Sequence, residues 1–235
     1  MQDFGEAFMQ AFRLLLSLDG GLLSIVGLSL QVSLAAVAVA GAIGLPLGAF
    51  LAVARFPGRG AVNVVVNAMM GLPPVVAGLL VYLLLSSAGP LGVLQLLYSP
   101  TAMIIAQTLL VTPIVAALTR QTIEDLHGEY DEQLRVFGIG PLHKIRTLLW
   151  DGRYSLMTAL LAGFGRATAE VGAVIIVGGN INHVTRVMTT TIALETSKGN
   201  LALALGLGLV LLAIALLVNG LVMGLRASAA RLSYA

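Results

Sequence analysis

Ionisable side chains are scarce in this chain, and where they fall decides what chemistry is open to it. The stretch from Arg120 to Arg153 holds Arg120, Glu124, Asp125, Glu129, Asp131, Glu132, Arg135, Lys144, Arg146, Asp151 and Arg153, nearly half of all the charge, with His127 and His143 besides. Acids and bases interleaved at that density suit ion pairing, with one another or with a partner's surface. A second, smaller site lies in an apolar stretch, where Arg166 and Glu170 stand four residues apart. On one continuous helix they share a face and can pair. Ionisable groups inside a span are costly and usually face the bundle interior or a polar path, so the two are read as a structural pair or as part of a path or gate. His183, in Asn180-Ile181-Asn182-His183, is read as a solvated loop residue rather than a metal ligand. No catalytic set is expected: there is no Gly-x-x-x-x-Gly-Lys-Ser/Thr phosphate loop, no His-Glu-x-x-His, and no Ser, His and Asp that the spans would bring together. No metal site and no cofactor bound by this chain are expected. If the protein moves something against a gradient, the energy comes from elsewhere.

The elements that position these residues belong to a membrane. Hydrophobic residues make up 58% of the 235 and charged ones only 10%, against roughly 25% charged in soluble domains; mean hydropathy is +0.96. Twenty-seven glycines suit close packing of spanning helices through small residues. There is no cysteine, and a net charge of +2 gives no reason to expect a nucleic-acid partner. The expected fold is all-α and integral to the lipid bilayer, one transmembrane domain over residues 1–235 with about five spans.

In chain order, residues 3–18 place Phe4, Phe8, Phe12 and Leu15 near one helical face and Asp3, Gln10 and Arg13 largely on the other, which predicts an interfacial amphipathic helix. Acids before any base argue against a signal peptide. Gly20-Gly21 breaks that helix before a first, uncharged span over 22–54, in which Pro46 could form a kink. A short turn at 55–60 leads to a second span over 61–85. Pro73-Pro74 inside it predicts a bend or break, a packing kink or a gate with Met69 and Met70 beside it. A surface turn over 86–100 precedes a third span over 101–118. The charged segment 120–153 is read as a water-facing loop where a soluble partner holds the protein. A fourth span over 155–177, a polar stretch over 178–200 with a short helix at 189–195, and a fifth span over 201–225 complete the chain.

The positive-inside rule orients this arrangement. With the charged loop in the cytoplasm, Arg55, Arg59, Arg120, Arg135, Lys144, Arg146, Arg153, Arg226 and Arg231 all lie inside, while Arg13, Arg186 and Lys198 stay outside. The expected topology crosses the membrane several times, with the N-terminus outside and the C-terminus cytoplasmic.

Within the charged segment, a helix through Glu132 runs into Gly138, then Ile139-Gly140, and Pro141 opens a short helix, Leu142-His143-Lys144-Ile145. Glu132, Gly138 and Pro141 stand at the spacing of the EAA loop, and the segment resembles that loop of ABC importer permeases. Gln133 and Leu134 replace the two alanines usual there, and Trp150-Asp151 stands where Leu-Pro is usual. Gly71-Leu72-Pro73-Pro74-Val75-Val76, Ala169-Glu170-Val171-Gly172-Ala173 and Gly178-Gly179-Asn180-Ile181 are similar to stretches of the oxyanion group. The run 188–199 is most similar to its tungstate-type members. The resemblance implies a type I importer in a prokaryotic plasma (inner) membrane, with two copies of this chain as a homodimer and two ABC ATPase subunits that use ATP and Mg. Those subunits would dock on Glu132 and on residues 138–145, namely Gly138, Ile139, Gly140, Pro141, Leu142, His143, Lys144 and Ile145. An extracytoplasmic binding protein would deliver tungstate, molybdate or sulfate. Met69, Met70, Pro73, Pro74, Arg166 and Glu170 are the candidate path or gate. The competing classes are an ATP-independent channel or secondary carrier, which predicts further intramembrane charges or an inverted repeat, and an intramembrane enzyme, which needs a polar catalytic set; neither signature is evident.

Overall fold

The computed structural model describes residues 9, 10, 12, 13 and 20–233, with side chains as far as residue 224. The interfacial helix expected at 3–18 lies almost wholly outside the described residues, as do the side chains of Arg226 and Arg231. The ordered elements are α1 (Gly20–Val53), α2 (Arg59–Met70), α3 (Pro74–Leu85), a 3-10 turn (Gly92–Leu94), α4 (Pro100–Val136), α5 (Pro141–Asp151), α6 (Arg153–Thr168), α7 (Gly172–Gly178), α8 (Met188–Ser197) and α9 (Leu201–Ser233). No strand occurs among the described residues.

Three of these helices are long and apolar enough to cross a membrane: α1, α4 and the Gly224-terminated part of α9. The number becomes five if the pairs α2 with α3 and α6 with α7 each count as one bent span, in line with the expected five. At 34 residues with no charge, α1 reaches roughly 50 Å and outlasts a hydrocarbon core of about 30 Å; Pro46 sits inside it without ending it. The described part of this helix starts at Gly20, and the residues just before it, which would show the expected break, lie outside the described residues. The expected break at Pro73-Pro74 is present: α2 stops at Met70, and Pro74, which has no N–H to lose, opens α3 at its first position.

Two expectations are corrected. The charged segment from Arg120 is not a loop, because α4 continues without interruption to Val136, 37 residues in all. Good helix formers fill it, and Arg120 with Glu124, His127 with Asp131, and Asp131 with Arg135 pair one turn apart. The fourth span is also not continuous. It stops at Thr168 and resumes at Gly172, so Arg166 and Glu170 do not share the face of one helix.

The chain folds as two compact units. One draws on the chain up to Ala35, Pro73–Gln107 and Ala167–Val218; the other on Ala36–Leu72, Thr108–Arg166 and the chain from Asn219. In the first, Leu22 of α1, Met188 of α8 and Leu207 of α9 form a core with Ile25, Val26, Ile192 and Val210 around it. There α3 lies directly on α7, with Gly78 against Ala173, and the Tyr98 N–H closes the 86–99 turn onto the Val177 carbonyl at 2.9 Å. In the second, Ala49, Ala52 and Val53 of α1 pack with Ile123 and Leu134 of α4, Leu148 of α5 and Leu156 of α6. A neighbouring cluster of Leu51, Val66, Ala116 and Ala117 ties in α2. Close approach of α1 to α4 depends on Gly48, where any Cβ would run into the Ala116 carbonyl oxygen and the Thr119 side chain.

Candidate functional site

Two places concentrate polar groups, one in each unit. The first is the end of α4 with α5. Gly138 adopts φ 63, the left-handed conformation that glycine accepts without strain. Its N–H donates to the Arg135 carbonyl at 2.9 Å and the Ile139 N–H to the Leu134 carbonyl at 3.1 Å. That is a Schellman ending, in which the turn itself satisfies the last carbonyls of α4. Three residues on, Pro141 starts α5, and the Lys144 N–H reaches the Gly140 carbonyl at 3.0 Å. The helix–glycine–proline–helix order expected from sequence is what forms.

α5 has two dissimilar faces. Leu148 is buried in the core cluster, with Ile145 and Leu149 packed against it. On the other side, Leu142 is 76% and Trp150 71% exposed, and just before the helix Val136 and Phe137 are 84% and 78% exposed. An open hollow of about 910 Å³ borders α5 from Leu142 to Trp150. At its far end the Arg153 guanidinium lies 4.7 Å from the Trp150 ring centroid and 4.5 Å from that of Tyr154, and donates to the Trp150 carbonyl at 2.6 Å.

Ion pairs hold this region in register. Asp131 accepts from Lys144 of α5 at 3.2 Å, pairs with Arg135, and faces His127 Nε2 at 3.7 Å. The hydrogen bond from Arg135 is the main reason its carboxyl is held below the usual carboxylate range, with Lys144 adding to it. His127 moves down from its ordinary value because burial disfavours the imidazolium, partly offset by Asp131. A second network starts at Arg59, the first residue of α2. It donates to the Leu51 carbonyl at 2.6 Å, the Ala52 carbonyl at 2.9 Å and Glu124 Oε1 at 2.6 Å, while Arg120 holds Glu124 Oε2 at 2.7 Å. Arg59 thus caps the C-terminal carbonyls of α1 and ties them to α4.

The second place is the break between α6 and α7, where almost every partner is neutral. The break frees backbone groups that a membrane interior cannot hydrate, and side chains answer for them. Gln107 Nε2 donates to the Ala167 carbonyl at 3.0 Å, the Thr189 hydroxyl to the Glu170 carbonyl at 2.8 Å, and the Ala173 N–H to Glu170 Oε1 at 3.0 Å. The Met188 N–H, at the start of α8, donates to the Ser29 hydroxyl at 2.7 Å, and that hydroxyl donates to the Ile25 carbonyl. Glu170 is 3% and Gln107 4% exposed. A cavity of about one water's size lies among Ser29, Ser33, Gln107, Thr168 and Thr189, and Gln107 Oε1, buried beside it, has no hydrogen-bond partner among the described residues.

The residues singled out from sequence fall as follows. Glu132 and Gly138 to Ile145 gather at the α4–α5 turn. Met69 and Met70 close α2, half-buried and exposed respectively, and Pro73 and Pro74 lead into α3. Arg166 is half-buried in the last turn of α6. Pro74 and Glu170 come together: a Cβ built on Gly172 would lie 3.6 Å from the Pro74 Cβ and 3.5 Å from Glu170 Oε1. The two breaks thus meet within one unit. His183 is exposed on a turn, as expected. Sequence reasoning missed Arg59, taken for part of a plain turn, and the set Ser29, Gln107 and Thr189. The available signals were an arginine within one short turn of the end of an uncharged span and lone polar residues inside apolar runs.

Residues 44–229 match the family described as "Binding-protein-dependent transport system inner membrane component". The chain is 41% identical over 226 residues to the tungstate uptake system permease protein TupB of Peptoclostridium acidaminophilum, covering 96% of this chain and 99% of that one. It is 40% identical over 205 residues to a probable anion ABC transporter permease protein of Haloferax volcanii, covering 85% and 88%. To the TupB of Campylobacter jejuni it is 36% identical over 214 residues, covering 91% and 90%. With its apolar helices, its two broken spans and the helix–glycine–proline–helix turn between them, this multi-pass chain belongs to the family of binding-protein-dependent transport inner membrane components, with the type I ABC permease fold.

Proposed function

We propose that this chain is the permease subunit of an ATP-driven importer of tungstate, with molybdate and sulfate as the competing oxyanions. The observation that carries the coupling role is the two-faced α5. Its inner face is locked to the core through Leu148, while Leu142 and Trp150 present apolar surface to water on a short helix held by a glycine turn. Apolar groups exposed among charges are what a partner's groove buries. The names of the relatives support the oxyanion class and, within it, tungstate.

Two copies of the chain form the pore, with α5 of each seated in an ABC ATPase subunit on the cytoplasmic side, and the N-terminus lies outside. ATP and Mg are bound by the ATPase pair, and a loaded extracytoplasmic binding protein supplies the anion. The ligands bias the states by binding them unequally: nucleotide draws the ATPases and both α5 helices together and turns the pore outward, and hydrolysis returns it inward. Met69, Met70, Pro73, Pro74, Arg166 and Glu170 are the path or gate candidates. The meeting of Pro74 and Glu170 at Gly172 makes the junction of the two breaks the strongest of them.

The test is co-purification with a candidate ABC ATPase from the same source, followed by ATP hydrolysis in vesicles with binding protein loaded with tungstate, molybdate or sulfate. Co-purification lost on disrupting residues 138–145, and hydrolysis stimulated most by the tungstate-loaded protein, is the expected result. A stable dimer without an ATPase, or anion flux without ATP, would overturn it in favour of a channel or carrier.

A further inference from the structure

Beside the first turn of α5 lies a second hollow, which shares Ile139, Pro141 and Lys144 with the proposed docking segment but not the exposed Leu142 and Trp150. Its volume is about 270 Å³, and Arg55, His127, Asp131, Arg135 and Lys144 line it together with Val53 and neighbouring apolar groups. Three cations therefore share this hollow with one carboxylate. Asp131 is already engaged by Arg135 and Lys144, so two positive charges remain in excess. Arg55 donates no hydrogen bond and forms no ion pair among the described residues, and it is exposed. Pro141 brings the N-terminus of the 11-residue α5 to the same hollow, and Gly140 gives that end no side-chain cap. Free helical N–H groups and surplus cations favour the same kind of ligand. Arg55 also stands two residues beyond the uncharged α1, and arginines that flank a span are attracted to anionic headgroups.

We propose that this hollow is a binding site for a phosphate-type oxyanion, held by Arg55, Arg135 and Lys144 at the first turn of α5. Two sources share that chemistry: the phosphate of an anionic lipid headgroup, and a free oxyanion from the aqueous phase. The site does not depend on which anion is transported, and it is tested on the chain without an ATPase.

The experiment uses the full-length chain purified in detergent, in two arms. In the first, native mass spectrometry follows retention of phosphatidylglycerol against phosphatidylcholine. In the second, thermal unfolding is followed during titration with inorganic phosphate and with tungstate, at ionic strength held constant with chloride. Each arm is run on the wild type, Arg55→Gln with Arg135→Gln, Arg55→Lys with Arg135→Lys, and Arg186→Gln as a loss of cationic charge elsewhere. Circular dichroism verifies that each variant is folded. Retention of phosphatidylglycerol that weakens by roughly tenfold or more in the Gln pair, is kept in the Lys pair and is untouched by Arg186→Gln would assign a lipid headgroup. The same pattern with phosphate or tungstate, and no lipid preference, would assign a free oxyanion. No selective binding in either arm, or binding equal in the wild type and the folded Gln pair, would overturn the proposal.

Discussion

The end of α4 with α5 and the break between α6 and α7 both have to hold polar groups beside an apolar core, and they do it by opposite means. At the α4–α5 end the holding groups are charged: Asp131 with Arg135 and Lys144, and Glu124 with Arg59 and Arg120. Most of these side chains keep some solvent, with 35% of the Glu124 side chain and 61% of that of Arg135 exposed, so each pair is individually weak and screened by salt. At the break most holders are neutral, the Gln107 amide and the Ser29 and Thr189 hydroxyls beside the one Glu170 carboxylate that accepts from Ala173, and all are buried. There water cannot replace a lost partner, so one missing donor costs more than one missing surface charge. The charged region can thus rearrange against a partner at little cost, while the break is built to stay satisfied.

The largest effect that would sharpen this contrast is expected at Gly138. A β-branched residue with φ 63 is strained by about 1–2 kcal/mol, although a Cβ there meets nothing within 4 Å. Gly138→Val should therefore leave membrane insertion intact and abolish ATP-coupled uptake in vesicles; normal uptake would remove the turn from the coupling role. Next comes Thr189→Val, which keeps the shape and removes the hydroxyl that donates to the buried Glu170 carbonyl. It should cost about 1–3 kcal/mol, read as a lower unfolding temperature in detergent, and an unchanged temperature would break the contrast. Gln107→Leu should cost less, below about 1 kcal/mol. It removes a donor to Ala167 but also removes the unpartnered Oε1, and the Ala167 carbonyl keeps the Glu170 N–H at 3.2 Å. A loss as large as that from Thr189→Val would mean that the amide is the keystone of the break.

The smallest effect concerns pH. His127 has a folded-state value below its unfolded one, since burial disfavours its charged form. The folded chain binds fewer protons than the unfolded chain here, so this contribution to stability is present above the unfolded value of about 6.5 and is lost as pH falls below it. Unfolding temperatures at pH 7.5 and 5.5 should differ slightly less in His127→Gln than in the wild type; a steeper slope in the variant would show the Asp131 attraction outweighing burial.

What could be read in advance follows how local the cause is. Pro73-Pro74 removes two N–H groups whatever the context, so the break after Met70 was visible in sequence, and so was the Gly138–Pro141 turn. The short helix α8 was found within one or two residues at each end, Met188–Ser197 against 189–195. The charged part of α4 was legible as a helix where it runs into Gly138, but its continuity with the third span was hidden. Polarity marks where a span leaves lipid and not where its helix ends. The i, i+4 pairs and helix formers of that part, both written in the sequence, argued for the helix. The break at 169–171 carries no proline; it is stabilised by Gln107 and Thr189, far away in the chain, and only the fold puts them there. Arg59 was hidden for the same reason, since its carbonyl partners become neighbours only once α1 has ended and α2 has turned back.

The notch in α1 at Gly48 has a consequence for biogenesis. A glycine placed to admit another backbone contributes little packing of its own, and the surface that fills it, Ala116 and Thr119 of α4, leaves the ribosome long after α1 does. Until then α1 can sit in the bilayer as a separate helix but has nothing to close on, since lipid and helix compete for the same apolar surface. Completion of this unit is therefore a late, post-insertion event. Truncations that end before α4 should remain membrane-bound yet be readily cleared by membrane proteases, whereas those that include it should persist.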